Sequence, residues 1–600
     1  MKYSELMVEW LEDLGYTHCF FVAGGNSMHL LDGVRKRMTC VPVVHEVAAG
    51  IAVEYFNEAG GEGRAFALVT AGPGLTNIVT ALAGAYLESR ECLVLGGQAK
   101  RTDLARGDLR QRGIQEVDGR SIAAPVCVTS ERIERPIGRA RFVDLVRSGT
   151  TGRPGPVFLE VCLDAQGAPV DRDELEREAP AALTGARDDG LEDPGWAAER
   201  IASLMSEAQR PVWLLGGGVT RATAERLRPA LRESGVPLMT TWNAMDRLDA
   251  REPLHFGRPN TWGQRSANVL LQQADLVVAL GTRLGLQQTG FNWQAFGPRA
   301  KVVQIDLDEA ELAKGHPVLE DAVRTDANAL LDELVAREYP PYDDWIGFCG
   351  LVRAQLPTVE DVNTTAGGYL DPYRFTRDLA ELCRPDDLIV PCSSGGAFTV
   401  TMQTFAQREG QTIISDKGLA SMGYGLSGSI GAALAHPSRR TVLLEGDGGF
   451  AQNLQELATV QVNGLNLKIF VFANEGYASI RMTQRNYFGG QYLGCDVASG
   501  LGFPDWAALF AAFGVPVHEL DGNFPHDERF QALFDASGPA AFVVPIDPEQ
   551  TYFPKISSRV AADGSMESNP LHFMSPDLPE DVAAQVLHFL QADVTPGGFA

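Results

Sequence analysis

Short apolar runs alternate with helix-patterned stretches along almost the whole chain. The first runs are Cys19-Phe20-Phe21-Val22, residues 65–69, Leu93-Val94-Leu95 and residues 157–161. Bounded apolar runs of this length, with helical periodicity between them, predict strands of a parallel α/β sheet. The pattern returns at residues 212–215, 276–280 and 302–305, and again at Ile389-Val390, 442–444 and 467–472. Two stretches interrupt it. Residues 166–195 are rich in Ala, Asp, Glu, Pro and Gly, and Tyr339-Pro340-Pro341-Tyr342-Asp343-Asp344 opens a second break; both read as linkers. The chain therefore divides into three α/β blocks, 1–165, 196–338 and 368–548, and a tail, 549–600. The tail holds a polar segment, 557–569, and a last amphipathic helix near 581–589. Blocks one and three are alike in size and pattern, as expected of two related domains around an inserted third. Leu6, Trp10, Leu11 and Leu14 already fall at helical spacing, so the fold is expected to start at once.

Composition narrows the function classes. A formal charge of -26 argues against a nucleic-acid binder, which needs a basic footprint. No run approaches the roughly 20 apolar residues of a membrane span. Nine cysteines are scattered without a C-x-x-C pair, so neither a zinc site nor a disulfide framework is indicated. Their odd number, with no secretory leader at the start, points to a cytoplasmic protein.

The densest chemistry lies in block three. Glu445-Gly446-Asp447-Gly448-Gly449-Phe450 follows a short buried strand, and Asn474-Glu475-Gly476 follows the next strand after 25 intervening residues, 449 to 473. Asp447 offers a hard carboxylate oxygen, Asn474 an amide oxygen and Gly476 a backbone carbonyl. Octahedral magnesium takes few protein oxygens and completes its shell with phosphate and water. Gly446, Gly448 and Gly449 would let the backbone turn sharply and approach an anion closely. The segment therefore reads as a magnesium and diphosphate site.

That spacing, with Gln455-Glu456-Leu457 inside it, resembles the thiamine diphosphate motif of the acetolactate synthase and pyruvate decarboxylase superfamily. The resemblance implies three doubly wound parallel-sheet domains: pyrimidine-binding, middle and diphosphate-binding. It also implies roles for residues that pattern alone leaves ambiguous. On pattern Glu46 is a helix-start carboxylate favoured by the dipole; the resemblance makes it the activator of the aminopyrimidine ring, with His45 a positioning residue. Met422, otherwise a core methionine, becomes the wedge under the bent cofactor, and Ala420 the carbonyl donor two residues earlier, where relatives usually have Gly. Thr70-Ala71-Gly72-Pro73-Gly74 resembles a pocket signature, with Thr76 or Asn77 able to cap the helix behind it. Gly25, in Ala23-Gly24-Gly25-Asn26, resembles the loop that closes beside the thiazolium. Ser394 and Gly395 either donate to the diphosphate or form an ordinary polar turn. Gln115 resembles the Gln of the acetolactate synthase pocket, although Ile114 stands where that family has Phe.

In block two, Leu215-Gly216-Gly217-Gly218-Val219 lacks the dinucleotide G-x-G-x-x-G spacing. With Arg283 and Asp306 it is similar to the middle domain that binds FAD in acetolactate synthases, where the flavin has a structural role; many relatives keep this domain without FAD. Two departures bear on the substrate. The synthases carry a second Arg four residues after the one matching Arg283, where this chain has Gln287, and a Trp that Thr483 replaces. Residues 479–488 and 547–559 look most like pyruvate carboligases of branched-chain deoxysugar pathways, the yersiniose type. Arg481, Arg485, Lys555 and Arg559 then either meet a nucleotide diphosphate or form solvated charged loops. The resemblance thus implies a thiamine diphosphate and magnesium enzyme, with FAD either bound or absent. It would decarboxylate pyruvate and pass the acetyl-anion equivalent to a ketone or nucleotide-linked keto-sugar. The alternative is acetolactate synthase, with pyruvate as acceptor. A plain decarboxylase is opposed by the lack of a His pair at Arg110-Gln111-Arg112-Gly113, and a silent paralogue by the intact Glu46, Asp447 and Asn474. The family also implies a homodimer or homotetramer with shared active sites.

Overall fold

The computed structural model describes residues 1–177, 190–392, 395–560 and 566–590. It contains three parallel sheets. The first is built from β1 (Tyr16–Phe21), β2 (Thr39–Pro42), β3 (Arg64–Val69), β4 (Cys92–Gln98), β5 (Thr129–Ile133) and β6 (Pro156–Cys162), in the order β2-β1-β3-β4-β6-β5. The second uses β7 (Pro211–Leu215), β8 (Leu238–Thr240), β9 (Leu276–Leu280), β10 (Lys301–Asp306) and β11 (Leu319–Arg324), ordered β11-β10-β9-β7-β8. The third uses β12 (Leu388–Pro391), β13 (Thr412–Ile413), β14 (Thr441–Gly446), β15 (Leu467–Ala473), β16 (Val517–Glu519) and β17 (Ala540–Pro545), ordered β13-β12-β14-β15-β17-β16. Counted from its own first strand, the third sheet repeats the order of the first. The expected kinship of blocks one and three is thus a shared topology. Strands such as β4, β6 and β9 are buried along their whole length, which explains their unbroken apolar runs.

The chain forms two compact units. One comprises Met1–Arg187, Asp386–Phe398 and Thr412–Pro548; the other takes in Asp188–Pro385, Thr399–Gln411 and Glu549–Ala600. The first and third sheets belong to the same unit and share one hydrophobic core, in which Ala49, Tyr55 and Ala81 meet Leu426, Ile430 and Ala433. Helix Glu46–Ala59 packs on helix Tyr424–Ala435 there. Their approach is so close that a Cβ on Gly431 would collide with the Ala52 carbonyl. Beside this joint Arg90 donates to the buried Glu54 at 2.8 Å and to the Ser415 carbonyl at 2.9 Å, and the Tyr424 hydroxyl donates to Glu54 at 3.0 Å.

The second unit has its own core around Trp213, Val277, Val303 and Leu331. It differs from the sequence reading in two places. The linker starting at Tyr339 continues into a 13-residue helix, Asp343–Gln355, which buries Trp345, Cys349 and Val352. Residues 368–385, grouped above with the third block, lie in the second unit and include helix Pro372–Leu382. The polar tail segment forms a short antiparallel pair, Ser558–Val560 with Met566–Ser568. Helix Glu580–Val586 follows, and Val586, Leu587 and Leu590 join the core. Among the described residues no helix is long and apolar enough to cross a membrane.

Candidate active site

Strands β14 and β15 lie side by side and deliver the predicted cation residues from their carboxyl ends, where open α/β sheets hold ligands. Asp447, only 1% exposed, opens a helical turn, Asp447–Phe450. Its Oδ1 accepts the Gly448 N–H at 2.7 Å, and its Oδ2 accepts the N–H groups of Asn474 at 3.0 Å and Gly476 at 3.2 Å. Burial pushes the carboxyl up to about 7, and the amides oppose that rise. One terminal atom of the Asn474 amide stands 3.1 Å from Asp447 Oδ1 and 2.7 Å from the Gly476 carbonyl oxygen. With nitrogen there, the amide donates to both. With oxygen there, three oxygens face one another with no proton between them. Neighbouring ligands of an octahedral cation at about 2.1 Å would be about 3.0 Å apart. The two separations from the Asn474 oxygen are close to that spacing, as a small hard divalent cation requires, and Gly446 beside it has open space where a side chain would stand.

The glycines act differently from the sequence expectation. Neither Gly446 nor Gly448 adopts positive φ. Gly448 is required because a Cβ would run into the Tyr477 ring, and Gly449 passes close to Glu445. Gly476 is the one with an unusual backbone, φ +136°, and a Cβ there would strike the Cys495 carbonyl.

Glu46 begins helix Glu46–Ala59 directly after His45. Its Oε2 accepts from Asn77 Nδ2 at 2.9 Å. Asn77 is thus the partner of Glu46 and not a helix cap; the cap of helix Pro73–Glu88 is Gly72. Among the described residues no hydrogen bond joins Glu46 to the Asp447 trio. Glu456 makes the nearer link. Its buried carboxylate accepts the N–H groups of Val44 at 3.1 Å and His45 at 3.0 Å, and the Thr459 hydroxyl at 2.7 Å. Glu456 therefore fixes the backbone just ahead of Glu46. The sequence reading treated it as spacing; its signal was a carboxylate set between Leu454, Leu457 and Val460.

Other predicted residues cluster at a second corner of the same unit. Gly24 lies so tightly on Thr70 that a Cβ would overlap it, Asn26 donates to the Ile114 carbonyl at 3.2 Å, and a Cβ on Gly72 would stand 2.5 Å from the Gln115 carbonyl. Gly25 and Gln115 are both exposed, Gln115 with φ +57°. Ala420 also has positive φ, +53°, which explains why Gly suits that position. Met422 is half-buried, one residue before the Gly423 that starts helix Tyr424–Ala435. Gly395 has φ +80°, and Ser394 lies outside the described residues. Arg481 corrects the sequence reading. It is 3% exposed and donates to the carbonyls of Asn474 at 2.7 Å and Pro548 at 2.7 and 3.0 Å, so it is not available to a nucleotide diphosphate. Arg485 is half-buried on the same helix, Lys555 sits 5.7 Å over the Phe553 ring, and the Arg559 side chain is outside the described residues.

In the second unit Arg283 follows β9 and Asp306 ends β10, adjacent strands of the sheet. Lys314 donates to the Arg283 carbonyl, and Asp306 accepts the Asp308 N–H at 3.0 Å. Gly216 and Gly218 donate their N–H groups to Leu280 and Gly281, so this glycine run serves backbone packing. His316 is 5% exposed between Trp293 and Phe296, and neither ring nitrogen has a partner.

Three parallel sheets, two of one topology, with a carboxylate, amide and carbonyl trio at the end of adjacent strands define an enzyme built around a diphosphate-bearing cofactor. Residues 1–122, 198–334 and 394–544 match, in turn, the N-terminal TPP binding domain, the central domain and the C-terminal TPP binding domain of thiamine pyrophosphate enzymes. The chain belongs to the thiamine pyrophosphate-dependent enzyme family. It is similar to the acetolactate synthase isozyme 1 large subunit of Escherichia coli, 29% identical over 92% of this chain and 95% of that one. It is also similar to a probable acetolactate synthase large subunit of Methanocaldococcus jannaschii, 28% identical over 92% and 93%. It is a thiamine diphosphate-dependent, acetolactate synthase-like enzyme.

Proposed function

We propose that the enzyme decarboxylates pyruvate and transfers the acetyl-anion equivalent to a ketone or nucleotide-linked keto-sugar, as carboligases of branched-chain deoxysugar pathways do. The observation that carries this reading is Gln287. Its main-chain carbonyl is held by Thr261, through the N–H at 3.0 Å and the hydroxyl at 2.7 Å, so its position is fixed while its side chain brings no charge for an acceptor carboxylate. Thr483 supports it: exposed on helix Ala478–Tyr487, it turns its hydroxyl back to the Ser479 carbonyl at 3.0 Å and presents no ring.

Asp447, Asn474 and Gly476 would hold Mg2+ and through it the cofactor diphosphate. Thiamine diphosphate, when bound, supplies the carbon centre that accepts the acyl group of pyruvate as carbon dioxide leaves. The residues of the chain arrange the rest. Asn77 holds Glu46 Oε2, and Oε1 would be the oxygen to share a proton with the aminopyrimidine ring of the cofactor. Glu456 orients the turn that carries Glu46. Ala420 would offer its carbonyl to the cofactor's aminopyrimidine, and Met422 would support the cofactor from below. Gln115 and Gly25 border the reacting side. In the family pattern Glu46 and Asp447 serve one cofactor from opposite subunits, so the working form is a dimer or a pair of dimers. Arg283 and Asp306 would hold FAD in the middle domain, with His316 an unsatisfied buried group there; the reaction needs no net redox change, so the flavin would be structural.

Product analysis tests the acceptor. With pyruvate plus a panel of ketones and keto-sugars, ketone adducts should exceed acetolactate. Q287R with T483W should move products toward acetolactate, by about ten- to a hundredfold for a charge-assisted hydrogen bond of about 1.5–3 kcal/mol. Equal acetolactate and ketone-adduct formation by the unmodified enzyme would make acetolactate synthase the better reading.

A further inference from the structure

We infer that Arg481 is a positioning residue for the cation site, acting through the backbone of Asn474; the inference rests on the reading of Asp447, Asn474 and Gly476 as cation ligands. Asn474 is gripped at both ends. Its N–H donates to Asp447 Oδ2 at 3.0 Å, and its carbonyl accepts from Arg481 Nη2 at 2.7 Å. With both ends of the residue fixed, its Cα–Cβ bond has a set direction, and its amide stands 3.1 Å from Asp447 Oδ1 and 2.7 Å from the Gly476 carbonyl oxygen. The next residue, Glu475, is held at φ +62°, a left-handed conformation unfavourable for a non-glycine residue. The Arg481 bond fixes the peptide that leads into this strained residue.

Arg481 also anchors the turn to the rest of the unit. The same guanidinium donates to the Pro548 carbonyl, just beyond β17, and stands 3.7 Å from Asp496. Asp496 accepts the N–H and hydroxyl of Ser499, and the neighbouring Cys495 carbonyl accepts the Tyr477 N–H at 2.8 Å. One planar fork thus joins the cation turn, the strand end and the loop that packs on Gly476. A guanidinium suits this task because its donors diverge in one plane; an ammonium keeps the charge without that geometry. A full positive charge at a cation site would be an odd choice for charge balance alone, so its placement on two carbonyls points to geometry.

The test is uptake of thiamine diphosphate by the metal-stripped full-length enzyme, titrated with Mg2+ and followed by calorimetry, with Mn2+ binding by paramagnetic resonance as a second readout. R481M should raise the half-saturating Mg2+ concentration about ten- to a hundredfold, the usual effect of losing a group that orients a metal ligand. Near-normal cofactor uptake should return at saturating Mg2+. R481K should fall between R481M and the unmodified enzyme. Thermal melting of each variant shows that it is folded; should R481M fail to fold, the R481K shift decides alone. A folded variant with an unchanged Mg2+ midpoint overturns the inference while leaving the cation site in place. Cofactor uptake by the unmodified enzyme that ignores divalent cations overturns the cation reading and this inference together.

Discussion

The two compact units differ in how burial shifts their carboxyl and imidazole groups. In the first, the carboxyl groups stand out, although burial also lowers the Lys417 ammonium to about 8. Burial raises Glu54 to about 8 despite its contact with Arg90, and raises Asp416 to about 7. In the second, buried imidazoles stand out, beside phenols such as Tyr342 that burial raises. Burial lowers His255 to about 3, with Arg258 nearby adding to the effect, and lowers His316 and His572 to about 4. Burial disfavours charge in both units, so the first keeps protons that water would remove and the second refuses protons that water would supply. The lesson is that carboxyl groups held protonated by burial gather in the unit with the chemistry, whereas the other unit uses imidazoles as neutral packing.

The strongest way to sharpen the contrast is to strike the first unit where its chemistry is concentrated. D447A removes the one carboxylate of the trio and should abolish Mg2+-dependent cofactor binding; calorimetry showing an unchanged affinity would remove Asp447 from the site. E46Q should leave the fold and cofactor binding in place and slow carbon dioxide release from pyruvate by about 10²–10⁴, the range for a lost acid–base group. Turnover near that of the unmodified enzyme would refute that role.

The smallest effect separates the units by pH. Below the ordinary imidazole pKa of 6.5 the unfolded chain binds a proton at His255 that the folded unit excludes, so stability is lost as pH falls toward about 3. For one fully buried imidazole the loss is about 1.4 kcal/mol per pH unit. Glu54 has the opposite sign. Its folded pKa is raised from 4.5 to about 8, so the stability of its unit declines as pH rises through that window. On acidification the second unit should open first. Hydrogen exchange at mildly acid and neutral pH should show protection lost selectively in β7–β11, and H255Q should flatten the response. Equal loss in both units would break the comparison.

The strands were legible because buried parallel strands leave unbroken apolar runs, and the repeated pattern of blocks one and three became a repeated strand order. Asp447, Asn474 and Gly476 were legible because adjacent strands place their ends together at a fixed spacing. What escaped was partner choice. Asn77 looked like a cap until a carboxylate 31 residues earlier claimed it. Arg481 looked like a surface cation until two carbonyls from separate strand ends enclosed it. Glu456 serves a backbone more than 400 residues away in the chain. Such pairings are set by tertiary approach, which local pattern does not encode. The helix Asp343–Gln355 was hidden by the prolines and aspartates just before it, although Trp345, Cys349 and Val352 keep helical spacing.

The missing side chain of Gly431 has a mechanical consequence. Where it meets the Ala52 carbonyl there is no layer of side chains to slide, so the two helices form a joint without play. The first and third sheets of one chain must then travel together, as a single casting. Whatever admits a substrate has to be hung on parts outside that joint, and the stretch carrying Gly489, Gly490, Gly494 and Gly500, each with open space where a Cβ would stand, carries no such lock.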